Sequence, residues 1–152
     1  HLWQEMVELP DEPNKLSMYA SENLGIKGPH EDGSFPRVRR FTIRKDGFVS
    51  VRAGAELGEL VTKPLIFTGN KLTVNYNAQL GEAGKIRIEV LDGKKQPISS
   101  FALKDCNPLS DDDIDAVVTW KGGDDLSNLA GKPIHLRFVL NQADLFSFRF
   151  TE

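Results

Sequence analysis

"TIRKDGFVSVRAG", residues 42–54, holds two short apolar-alternating runs around a Lys-Asp-Gly turn signal. Its register decides which face the chain buries. A two-residue Asp46-Gly47 loop would pair Lys45 with Phe48, Ile43 with Ser50 and Phe41 with Arg52, mixing apolar and polar residues on both faces. A three-residue loop, Lys45-Asp46-Gly47 with Gly47 left-handed as a bulge, pairs Ile43 with Val49 and Phe41 with Val51. Phe41, Ile43, Val49 and Val51 then form one apolar face; Arg40, Thr42, Arg44, Phe48, Ser50 and Arg52 form the other. Register follows the face that must be buried, so the second hairpin is expected.

That hairpin sets Arg40 opposite Arg52, and like charges directly opposite are unfavourable. The sequence holds a counter-charge in "LSDDDIDAV", with Asp111, Asp112, Asp113 and Asp115. Pairing within the chain, or plain solvation, is therefore the first reading of the basic face Arg40, Arg44 and Arg52. A polyanion site, an interdomain contact and a sugar-acid contact are the others. A formal net charge of -3 argues against a general nucleic-acid binder.

Working outward, the chain is long enough, at 152 residues, for one domain with a sizeable core. Its single cysteine, Cys106, permits no internal disulfide and reads as a small buried hydrophobe. No apolar run reaches the ~18 residues of a membrane-spanning helix, and no signal-peptide pattern opens the chain. It begins "HLWQEMVELP" without an initiator Met, as a trimmed or excised fragment would.

Residues 1–35 are punctuated by Pro and Gly, with one strand expected near Leu16 to Ser21. From Pro36 the text is strand, turn, strand. Strands are expected at 37–45, 48–53, 58–67, 71–78, 84–91, 97–103, 114–120, 134–140 and 144–150, separated by Gly/Asx turns. The fold class is all-β, an antiparallel sandwich of jelly-roll or lectin-like type, with an N-terminal segment 1–35 and a sandwich domain 36–152. One short helical connector is expected in "DDLSNLAGKP", capped by Asp124 or Asp125 and stopped by Gly131.

No nucleophile–base constellation, phosphate loop or zinc spacing is visible. Of the histidines, His135 alternates within a strand, whereas His30 lies in the loop "KGPHEDG", a better place for a site. "SDDDID" lacks the spaced ligands of a calcium loop; a solvated turn is the default, and a structural Ca²⁺ on Asp111, Asp112 and Asp113 the alternative. Trp3 and Tyr19 lie in the N-terminal segment. Trp120 and Tyr76 alternate with apolar residues and read as core or core edge, and Phe146, Phe148 and Phe150 as one face of the last strand.

"IRKDGFVSVRAG", "GELVTKPLIFTGNKLTVNYNA", "GKIRIEVLDGKKQPISSFALKDCNPLSDD" and "VTWKGGDDLSNLAGKPIHLRFVLNQADLFSFRF" together resemble the C-terminal β-sandwich of secreted bacterial five-bladed β-propeller proteins of the β-fructosidase and arabinanase kind. The stretch from Lys15 to Gly47 is similar to the end of the propeller in such proteins, with Tyr19 and His30 at matching places. The catalytic carboxylates of that family come from early propeller blades, which this chain does not contain. The resemblance therefore implies a secreted or periplasmic, non-catalytic accessory domain that packs on its parent's propeller. The alternative is a carbohydrate-binding module for an oligo- or polysaccharide, with Trp3, Tyr19, His30 and Trp120 as candidate sugar contacts.

Overall fold

The computed structural model of the chain describes residues 6–23 and 35–152. The chain forms two compact units, His1–Phe48 and Val49–Glu152. The sequence places the boundary at 35/36; the strand that begins at Arg37 belongs to the first unit.

In the first unit β1 (Val7–Leu9), β2 (Glu12–Glu22) and β3 (Arg37–Arg44) form an antiparallel sheet in that order. β3 pairs with β2, not with residues 49–51: Ile43 lies opposite Leu16, Phe41 opposite Met18 and Arg40 opposite Tyr19. The bulged hairpin of the sequence reading is thus overturned. The apolar alternation of Phe41 and Ile43 is real, but Leu16 and Met18 match it as well as Val49 and Val51 do. Pairing with β2 also brings carboxylates to the cations. Glu22 meets Arg37 and Arg39, Glu12 meets Arg40, and Glu8 meets Lys45 at 2.6 Å. The turn after β3 closes with a Gly47 N–H to Arg44 O hydrogen bond. Asp46, at φ 51°, takes the left-handed position expected of Gly47, which a short polar side chain tolerates. A Cβ on Gly47 would sit 2.6 Å from Arg44 Cβ, so crowding, not left-handed strain, disfavours substitution there.

The second unit is an antiparallel β-sandwich. Its strands are β4 (Val51–Ala53), β5 (Gly58–Val61), β6 (Lys71–Asn77), β7 (Lys85–Asp92), β8 (Asp112–Val117), β9 (Ile134–Asn141) and β10 (Ala143–Thr151). One sheet has the order β4-β10-β6-β8, the other β5-β9-β7. Alternate residues face the interior: Leu72, Val74 and Tyr76 from β6, Ile86, Ile88 and Val90 from β7, and Ile134, Leu136, Phe138 and Leu140 from β9 are all buried. Phe67 stacks on Phe150 at 3.9 Å and Phe138 meets Phe148 at 5.5 Å, joining the two layers.

Several expected strands end early for local reasons. The run 58–67 stops at Val61; Pro64 cannot donate to a ladder, and only an isolated bridge from Leu65 to Ile134 follows. Residues 97–103 form no strand: after a bridge from Pro97 to Leu91, the chain makes 3-10 turns at Ser99–Phe101 and Leu103–Asp105. On β10, Leu145 pairs with Tyr76 but Ser147 with Asn75, so Phe146 is the extra residue of a bulge. Phe148 and Phe150 pack on the core, but the bulge takes Phe146 out of their period. The helical connector is a single 3-10 turn, Ser127–Leu129. Asp125 Oδ1 accepts the Ser127 N–H, Leu126 is buried and Gly131 adopts φ 76°. Among the described residues no helix is long and apolar enough to cross a membrane.

Candidate functional site

Trp3 and His30 lie outside the described residues. Tyr19 is exposed on β2, opposite Arg40. Trp120 is 2 % exposed in the sandwich core; its indole N–H donates to Ile88 O at 3.1 Å and its ring meets Phe101 edge-on. It presents no face to a sugar. Tyr76 is also buried; its hydroxyl accepts the Asp111 N–H, and desolvation pushes the phenol up.

The three basic residues do not share one hairpin, since β3 pairs with β2. Arg40 and Arg44 lie on β3 in the first unit, Arg52 on β4 in the second. Arg40 donates to Ser17 Oγ at 3.0 Å and reaches the carboxylate of Glu12, which it holds below the usual range. Arg44 lies opposite Lys15. Nor does "SDDDID" supply the counter-charge to Arg40 and Arg52: within it, Asp115 pairs with Arg149 at 2.7 Å and Asp113 Oδ1 caps the Asp115 N–H. Among the described residues no group of three or more His, Cys, Asp or Glu could hold a metal ion, and that includes Asp111, Asp112 and Asp113.

Two arrangements in the sandwich were not foreseen. The first is at the β4 edge. Register places Arg52 opposite Asp144, and the guanidinium grips the carboxylate with two hydrogen bonds, 2.9 and 2.6 Å. Ser50 Oγ donates to the same carboxylate at 3.0 Å. Asp144 is 3 % exposed, and its carboxyl is held below the ordinary 3.8 by Arg52 above all, with help from Ser50. Beside the pair lies an open cleft of about 330 Å³ lined by Arg52, Ala53, Gly54, Ala55, Leu80 and Gln142. Val49, 78 % exposed, and Val51, 48 % exposed, lead into it along the chain.

The second lies on the outer face of the β5-β9-β7 sheet. Register sets Glu89 opposite Arg137, Arg87 opposite Val139 and Lys85 opposite Asn141. Arg137 bridges two carboxylates, Glu59 at 2.7 Å and Glu89 at 3.0 Å. Glu89 also accepts the Leu103 N–H, which ties the 3-10 turn to the sheet. A cleft of about 270 Å³ opens beside this ladder, lined by Leu57, Lys85, Arg87, Leu103, Val139 and Asn141. His135, on the same strand, hydrogen-bonds through Nδ1 to Thr62 O at 2.9 Å and serves the sheet. Cys106 is buried; its Sγ accepts the Ile88 N–H at 3.2 Å, and desolvation pushes the thiol up, as befits a core residue rather than a nucleophile.

No family model, no curated protein and no solved structure matches this chain.

Proposed function

We propose that the chain is a non-catalytic accessory β-sandwich of a secreted glycoside-hydrolase-like protein, and that it packs on the catalytic propeller of its parent. The observation that carries this reading is the β4 edge. Val49 and Val51 present apolar side chains to solvent next to the paired Arg52 and Asp144. Apolar side chains supply binding energy when covered, and an adjoining ordered charge pair sets register. The secreted location and the propeller partner rest on the sequence resemblance.

A second reading, a carbohydrate-binding module, would use the outer-face cleft, where Lys85, Arg87 and Asn141 stand beside apolar walls, rather than Trp120 and Tyr76, which are spent in the core.

One comparison separates the two readings. The chain is run through gels containing a soluble fructan or arabinan, and assayed for thermal stability alone and fused behind a five-bladed propeller of the arabinanase kind. Unretarded migration together with a raised melting temperature of the fusion, lost in Val49→Asp/Val51→Asp, is the expected result. Retardation by one polysaccharide would replace it with the binding-module reading. Hydrolysis of either glycan by the chain alone would overturn both.

A further inference from the structure

We propose that the cleft between Leu57, Leu103 and the β7–β9 strand pair binds a small organic carboxylate, with Arg87 and Lys85 as its charge partners. The position of these residues follows from the strand period. Lys85 and Arg87 are two apart on β7, so they share the outer face, while Ile86 and Ile88 point into the core. Across the ladder stand Asn141 and Val139. One long side of the cleft is therefore cationic, the other an amide and an aliphatic side chain. Leu57 and Leu103 add apolar walls.

The charge balance of the face points to an anion. The two nearby carboxylates, Glu59 and Glu89, are both engaged by Arg137. Among the described residues neither the Lys85 nor the Arg87 side chain has an ion-pair or hydrogen-bond partner. Arg87 is more than merely solvated: its Nε is buried without an acceptor. A cation with one N–H sealed from water and unpaired carries a desolvation cost that water at its outer nitrogens does not offset. An anion at the outer nitrogens would offset it through charge. A guanidinium matches a planar carboxylate in particular, since two parallel N–H groups meet two oxygens, and a neighbouring ammonium adds charge without demanding geometry. A volume near 270 Å³ admits one compact body behind that carboxylate, either a sugar ring or an aryl group, against the aliphatic walls. The site does not depend on whether the sandwich packs on a propeller.

The test is a ¹H–¹⁵N NMR titration of the whole chain with D-galacturonate, with benzoate and with neutral methyl galactoside. Saturable shifts at the amides of residues 85–87, 103 and 139–141 are expected with at least one of the two carboxylates and none with the neutral glycoside. Response to galacturonate alone identifies a uronic acid as the source; response to benzoate identifies an apolar carboxylate. Arg87→Gln should weaken the interaction about tenfold or more, because a charge-assisted bidentate pair is lost. Val139→Glu, which sets a carboxylate opposite Arg87 within the sheet, should block added ligand while the cation remains. Both variants are first checked for a dispersed spectrum, and either one suffices. The proposal fails if a folded wild-type sample shows no saturable shift with either carboxylate, if the neutral glycoside acts equally well, or if a folded variant binds like wild type.

Discussion

In the β1–β3 sheet, the one buried side chain among the described residues is Ser17, and cross-strand order is marked by carboxylates meeting cations at the surface. In the sandwich, Leu72, Ile86, Ile88, Val90, Leu136 and Phe138 lose all contact with water. The magnitudes differ as sharply as the appearance. Burying one Leu- or Phe-sized side chain contributes ~1.5–3 kcal/mol, whereas an exposed ion pair contributes ~0–1 kcal/mol and is screened by salt. A handful of surface pairs is thus worth no more than one or two core side chains. Ion pairs accompany the strand pairing in the first unit; apolar burial supplies the stability of the second.

The widest separation should come from Trp120→Ala. It empties the volume of a side chain in contact with Phe101 and removes the donor to Ile88 O. A loss of about 3–5 kcal/mol is expected, read as a lower urea midpoint for the sandwich. An unchanged midpoint would mean that the core is not where the stability resides.

Asp144→Asn probes a buried carboxylate of the sandwich that is held by charge. The loss should be smaller, about 1 kcal/mol at neutral pH, since the Arg52 partner is largely solvated. Its pH dependence is the sharper readout. The carboxyl is held below its ordinary 3.8, so the stabilisation is complete above that value and disappears as pH falls through the lower folded value. Urea midpoints of wild type and variant should converge in acid; a constant gap from pH 7 to pH 3 would show that the carboxylate's charge is irrelevant.

In the first unit, Arg40→Gln should alter the sheet only slightly, and the effect should vanish at high salt because the contact with Glu12 is exposed. Amide exchange of β2 and β3 at low and high ionic strength measures it. Smallest of all should be Val49→Asp. A bulged hairpin would bury this side chain and make the charge costly, but at 78 % exposure the change should stay within about 0.5 kcal/mol. A large drop in melting temperature would restore the hairpin register.

The same contrast explains what could be read from the residues alone. Strands β6, β7 and β9 were legible because large apolar residues recur at every second position, as in "KIRIEV", where Ile86, Ile88 and Val90 go inward and Lys85, Arg87 and Glu89 lie on the outer face. The all-β antiparallel sandwich follows from such runs. Partner choice was not legible. Phe41 and Ile43 accept either of two apolar pairs, and the carboxylates that meet the β3 cations, Glu12 and Glu22, lie far off in the sequence. The bulge at Phe146 was hidden for a related reason: a run of Phe at every second position looks regular until the neighbouring strand fixes the count. The outer-face cleft did carry a signal, the charged alternation of β7 facing the polar alternation of β9, but its walls, Leu57 and Leu103, come from loops that no local pattern assigns to it.

Cys106 gives the sandwich a consequence of another kind. Its thiol is buried, accepts a core N–H and resists ionisation, and it is the sole sulfhydryl of the chain. An alkylating reagent can therefore consume it only from a conformation in which the core has opened, and one modified position reports one event. The molecule carries its own clock. With dilute reagent the labelling rate measures the population of opened molecules, and with saturating reagent it measures how often they open.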